Sequence, residues 1–218
     1  MATQVLGFFP MKASVHMLLP LLQDDNKKVR QSAVKTLSKF PQKSLSPLRK
    51  VLGNDKWLDK HYKELFELGK SFALWLANEI LQRKEAGNTN HLRLFLVILE
   101  NTLWTPEDED GLDAPTILIK AIKGKWRGLE EAGEVALQPI FLVLEHGNFE
   151  VTEELLQTLT NLAPLTFDRY LKEVSKPEQL YQTENKNRKW MIQLLGRIGD
   201  EQAISPLKDL LKNDDRDI

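Results

Sequence analysis

The 218-residue sequence predicts an all-α fold of stacked helical hairpins. Two observations carry this. A thirteen-residue phrase is written four times, over Met17–Val29, Pro47–Asp59, Pro139–Val151 and Pro206–Ile218. The copies start 30, 92 and 67 residues apart, and two of these intervals lie near whole multiples of about 30 to 33 residues, the length of one helical pair in repeat architectures. Degenerate copies are then expected near residues 78, 109 and 172, which makes about six hairpins in one array spanning 1–218.

Each phrase keeps the same chemistry in the same place. Its second position is Leu18, Leu48, Ile140 or Leu207, and its fifth and sixth are Leu21-Leu22, Val51-Leu52, Val143-Leu144 or Leu210-Leu211. That spacing makes one apolar stripe on a short helix. Turn formers follow (Asp24-Asp25, Asn54-Asp55, His146-Gly147, Asn213-Asp214) and can cap a second helix. The thirteenth position is β-branched at Val29, Val151 and Ile218 and fails only at Asp59.

Taken in order, residues 1–16 read as a leading helix with Leu6, Phe8 and Phe9 covering the open end of the core. Val29, Ala33, Val34 and Leu37 make the inward stripe of the next helix, stopped by Pro41. A hairpin begins at Leu45, and the apolar run from Trp57 to Lys84 is too long for one ordinary helix, so Gly69 is expected to divide it. GNTN at 87–90 is a loop, with Asn90 capping a helix over His91–Leu103. Five carboxylates, two prolines and a glycine between Thr105 and Pro115 mark an irregular acidic loop. Helices are expected over Pro115–Ile122, ended by Gly124, and over Glu130–Glu145. Another should cover Glu150–Leu162, turning Val151, Leu155, Leu156 and Leu159 inward, and a further one 164–174. A polar connection at 175–187 leads to the most regular stretch, in which Asp200 caps the last helix.

Composition narrows the function. Thirty Lys+Arg against thirty-one Asp+Glu leave a net charge of -1, so the total charge asks for neither nucleic acid nor an anionic membrane. With no cysteine, disulfides, thiolate zinc sites and cysteine nucleophiles are excluded, which suits a cytoplasmic setting. The apolar N-terminal stretch carries its first Lys, Lys12, inside the run, and Pro10 and His16 interrupt it, unlike a signal peptide. No segment is apolar for long enough to span a membrane.

The stretches LLQDDNKKVRQSAVKTL and LGRIGDEQAISPLKDLLKNDDRDI resemble HEAT repeats of the bacterial subtype named after phycobilisome lyases. The pattern is a glycine-rich helix end, an acidic cap, an alanine and a proline opening a helix, a Leu-Leu pair, an Asp-rich turn and Val-Arg. It is close over 17–40 and 186–218, weaker over 45–58 and 139–162, and lost between. The resemblance implies a right-handed α-α superhelix whose second helices line a concave face that holds other macromolecules. It implies a turn-Asp to helix-start-Arg contact between neighbouring units for Asp25 and Arg30, with Arg188 the matching Arg of the last unit. The pattern stops at Ile218, so the chain is expected to be a fragment of a longer array or to pair end to end.

None of His16, His61, His91 and His146 is followed by Glu, so the His-Glu signature of iron-binding HEAT enzymes is absent, and no metal or cofactor is expected. Trp57, Trp75, Trp104, Trp126 and Trp190 read as hairpin packing rather than base-stacking platforms. Lys123, Lys125, Trp126 and Arg127 in GKWRG form the one basic-aromatic cluster, a candidate for an anion or a partner. No phosphate loop, nucleophile elbow or Ser/His/Asp order is present. The expected function is therefore non-catalytic binding of a protein on the concave face. Positions two and six after each inward Val site supply the contacts: Gln31 and Lys35, Glu153 and Gln157, Lys189 and Gln193. The alternatives are a subunit resembling the phycobilin lyases, acting on a bilin chromoprotein, and a nucleic-acid binder.

Overall fold

The computed structural model describes residues 17, 18, 20–37, 58, 60–67, 69–88, 91–174 and 186–212. The leading helix, the second phrase up to Trp57, the Pro41 stop, the Asn90 cap, the connection before Lys186 and the closing Ile218 all lie outside them. Among the described residues there are helices and turns and no strand. The α-helices are α1 (Lys27–Leu37), α2 (Lys70–Glu85), α3 (Leu92–Asn101), α4 (Ala114–Ile122), α5 (Glu134–His146), α6 (Glu153–Asn161), α7 (Ala163–Val174), α8 (Lys186–Ile198) and α9 (Ile204–Lys212).

Helices touch their chain neighbours (α2 with α3, α3 with α4, α4 with α5, α6 with α7, α7 with α8) and also the helix two places on (α2 with α4, α3 with α5, α6 with α8). Contacts at one and two steps are what a pile of hairpins requires, since each pair buries its stripe on the next. The phrase residues supply that stripe. Leu18, Leu22, Ala33, Val34 and Leu37 are all 0% exposed, as are Val143, Leu155 and Leu159 of the third phrase. Leu21, Leu156 and Leu207 are partly buried against the same core.

Local chemistry sets the helix ends. Gly69 divides the long run as its sequence foretells, with a 3-10 turn over Tyr62–Glu67 before it and α2 after it. Asp113 opens α4 by accepting from Thr116 N at 3.1 Å, with Pro115 in the first turn where a missing N–H costs nothing. Thr152 opens α6 in the same way, taking Leu155 N at 3.2 Å. Gly124, at φ 73, closes the turn after α4.

Four expectations are corrected. Val151 is 39% exposed because α6 starts only after Thr152, leaving Val151 outside the helix whose stripe it was to join. The helix expected to reach Leu103 stops at Asn101, since Thr102 turns extended (ψ 146), and Leu103 is 75% exposed. The helix position expected for Glu130 belongs to a 3-10 turn (Leu129–Ala132), and Gly133, at φ 56, separates it from α5. At the start of α3 the N-cap position is held by His91 in the left-handed region, and its side chain makes no cap bond.

The acidic loop is pinned rather than loose. Glu107 and Asp110 form a capping box around a 3-10 turn (Asp108–Asp110), Lys70 pairs with Asp110, and Lys125 Nζ donates to Pro106 O at 2.9 Å. Further along, Lys84 of α2 and Arg169 of α7 both reach Glu145 of α5, at 2.8 and 2.6 Å. Arg169 also lies 3.6 Å from the centroid of Phe141, and Phe141, Tyr170 and Trp190 carry ring contacts from α5 through α7 to α8.

Two stability predictions follow from this packing. A Cβ at Gly147 would stand 2.7 Å from Val143 O and 3.0 Å from Ile122 Cδ1, so Gly147→Ala should cost about 1–3 kcal/mol in urea unfolding. Among the described residues the buried Tyr170 hydroxyl, with Thr166 as its nearest polar side chain, completes no hydrogen bond. Tyr170→Phe should therefore be neutral or raise the unfolding midpoint, a gain of up to about 1 kcal/mol.

Candidate functional site

The most extensive polar tie between second helices lies on α6 and α8, which pack side by side. Their inward residues, Leu155, Leu159, Leu194 and Leu195, are 0% exposed. Their outward residues, Glu153, Gln157, Gln193 and Arg197, are exposed. Arg197 crosses from α8 to α6, donating to both carboxylate oxygens of Glu153, at 2.9 Å for the Nη1 bond, and to Gln157 Oε1 at 3.4 Å. A bidentate guanidinium–carboxylate pair fixes both side chains more firmly than a single contact would. Arg197 holds the Glu153 carboxyl below the ordinary range, and Glu153 in turn raises the guanidinium.

Of the six contact residues expected from the phrase, the structure brings Glu153 and Gln157 together on α6 and places the exposed Gln193 on the neighbouring α8. Gln31 is half-buried and Lys35 exposed on α1. The side chains of Arg188 and Lys189 lie outside the described residues. Sequence reasoning missed Arg197. It lies eight residues after Lys189 and four after Gln193, which is the signal that would have found it.

Arg30 meets the turn that carries Asp25. Arg30 Nη1 donates to the main-chain carbonyls of Asp24 and Asp25, at 2.8 and 3.1 Å, within its own unit. Asp24 closes the turn by accepting from Asn26 N at 2.8 Å. The Arg thus ties down the carbonyls of the turn ahead of its own helix, a role any helix-start arginine can perform through its rigid fork of donors.

The GKWRG cluster comes apart in three dimensions. Trp126 is 1% exposed, so its ring is core and presents no face to a partner. Its carbonyl accepts from Thr158 Oγ1 at 2.9 Å, seating α6 on the connection between α4 and α5. Lys123 Nζ donates to Glu100 O and Thr102 O, each at 2.8 Å, and Lys125 is engaged with the acidic loop. Arg127 alone of the four is exposed.

Among the described residues no group of three His, Cys, Asp or Glu could hold a metal ion, and no helix is long and apolar enough to cross a membrane. Stacked helical pairs with a polar strip on neighbouring second helices define an α-helical repeat protein. A family model described as HEAT repeats matches residues 1–60, and one described as PBS lyase HEAT-like repeat matches 188–213. The two matches, at the two ends of the chain and together covering less than half of it, support a HEAT-repeat protein with repeats of the PBS-lyase type. No curated protein and no solved structure matches it.

Because Glu153 is held low by Arg197, its contribution is present above the unfolded carboxyl pKa and is lost as pH falls through the lower folded value. Arg197→Met should therefore lower the urea midpoint slightly near neutral pH. The difference from the parent should shrink as pH falls through the parent's lowered Glu153 value, because both proteins then carry a protonated carboxyl.

Proposed function

We propose that the chain is a non-catalytic scaffold that holds a protein partner along the outward face of its second helices. The observation that carries this is the Arg197 bridge. It joins the polar residues of α6 and α8 into one exposed strip whose shape is set by the apolar core beneath it. Many modest contacts spread over such a strip suit a protein surface better than a small molecule. Gln31, Lys35, Glu153, Gln157, Lys189 and Gln193 are assigned as contact residues, with Arg197 positioning two of them and Arg127 a peripheral candidate.

HEAT repeats commonly mediate protein interaction, which supports the same reading. Lys70, Lys84, Arg169 and Arg197 are each paired with a carboxylate, and this weighs against a face built to clamp phosphates. The PBS lyase HEAT-like match at 188–213 favours one second reading, a subunit acting on a bilin chromoprotein. A change in visible absorbance on mixing with an open-chain tetrapyrrole protein would support it, and an unaltered spectrum would leave the scaffold.

A photo-cross-linker placed at Gln157 or Gln193 should capture a discrete partner protein, and the same group at Gln202 should not. Substituting Gln157 and Gln193 together by Ala should weaken that partner by roughly tenfold, about 1.4 kcal/mol, with the unfolding midpoint unchanged. Equal capture at all three positions, or undiminished affinity of the double variant, would count against the face.

A further inference from the structure

The polar strip of α6 and α8 runs into a cleft of about 510 Å³. The cleft lies between the close of α6, the first turns of α7 and the turn that follows α8. Thr160 stands three residues after Gln157 on α6, and Ile198 directly follows Arg197 on α8, so a partner laid along the strip would reach it. Leu165, Phe167 and Ile198 give the cleft apolar walls. Leu165 is 47% exposed, an uncovered large side chain, and the other two are half-buried.

The charged groups of the cleft are of one sign. Its two threonine hydroxyls are spent on the main chain, Thr160 on Leu156 O at 2.7 Å and Thr166 on Leu162 O at 2.9 Å. Asp168 and Asp200 supply two carboxylates, and among the described residues no Lys or Arg lines the space. The arginines beside it in the chain are committed elsewhere. Arg169 donates to Glu145 at 2.6 Å and lies over the Phe141 ring, and Arg197 is held by Glu153. Asp200 Oδ1 accepts from Gln202 N at 2.8 Å, which leaves its other oxygen for a donor from outside. Asp168 is exposed and makes no hydrogen bond or ion pair among the described residues. Apolar walls beside two uncompensated carboxylates fit a side chain that is aliphatic along its stem and cationic at its tip. An acidic ligand would meet repulsion, and a wholly apolar one would cover the carboxylates without giving them a donor.

We propose that this cleft docks a basic segment of the partner protein. The stem of one lysine or arginine lies against Leu165, Phe167 and Ile198, and its cationic head pairs with Asp168 and Asp200. This rests on the scaffold reading, since it names the chemistry of the partner that the strip holds.

Titration of the native full-length chain with a fluorescein-labelled peptide, Gly-Leu-Arg-Lys-Leu-Gly, and with its acidic counterpart, Gly-Leu-Glu-Glu-Leu-Gly, tests this by fluorescence anisotropy and amide NMR. The basic peptide should bind and shift the signals of Leu165, Asp168 and Ile198, and the acidic one should do neither. Asp168→Asn and Asp200→Asn should each weaken the basic peptide several-fold, the second while keeping a side-chain oxygen for the Gln202 N–H. Glu154→Gln makes the same charge change at the exposed start of α6 and should leave the affinity unaltered. No binding of the basic peptide, or an equal loss in all three variants, would overturn the docking site. Spermidine displacing the peptide as readily as unlabelled peptide does would assign the cleft to a free polyamine and equally overturn it. Replacing Gln157 and Gln193 together by Ala should not change the peptide's affinity, so failure of the cleft and failure of the scaffold face are read separately.

Discussion

Everything in this fold depends on the burial of α4. From Thr116 to Ile122 all seven residues are buried, and Ile117, Leu118 and Ile119 are 0% exposed. A helix buried on every side, its Thr116 and Lys120 included, has no face to offer water, so it must be enclosed. Its neighbours α2, α3 and α5 enclose it. At about 1.5–3 kcal/mol for each large aliphatic side chain, this one helix contributes more than any polar contact on the surface could. It falls where the repeated phrase is least recognisable. A unit wrapped on all sides has no need of a strict stripe, and the periodicity by which repeats are detected fades there for that reason.

Polar groups then fix how the pile sits. The pairs Lys70–Asp110, Lys84–Glu145, Arg169–Glu145 and Arg197–Glu153 each join two segments far apart in the chain. Partly exposed pairs of this kind add little to stability and much to register, because a helix that slides loses its partner. Lys123 works inside the main chain instead, holding the last carbonyls of α3 to the end of α4. The buried Thr158 hydroxyl does the same for α6 against the Trp126 carbonyl. These links fix α3 to the end of α4 and seat α6, just as Arg197 sets the polar strip on α6 and α8.

The candidate face was partly legible and partly not. Offsets two and six from the phrase's thirteenth position place Glu153, Gln157 and Gln193 on exposed helix faces even though Val151 itself is exposed, since i, i+4 spacing along one helix is a property of the chain alone. Arg197 escaped because it acts between helices, and linear spacing carries no information about which helix will lie alongside. Trp126 misled for a related reason. Flanked by Lys125 and Arg127, it reads as an exposed aromatic among cations, yet its indole is buried, Lys125 is half-buried against the acidic loop and Arg127 alone is exposed.

The sequence alone determined the helical class, the family of repeat, the division at Gly69 and the inward Leu and Val positions. Each of these is written in local periodicity, capping chemistry and glycine placement, which act over one or two turns of chain. Only the tertiary structure decided that the acidic loop would be held by Lys70 and Lys125, and that Arg197 would bridge two helices. Those outcomes hang on distances between residues 18 to 44 positions apart in the chain. Such distances are fixed when apolar faces close on one another, and no stretch of the chain encodes them by itself.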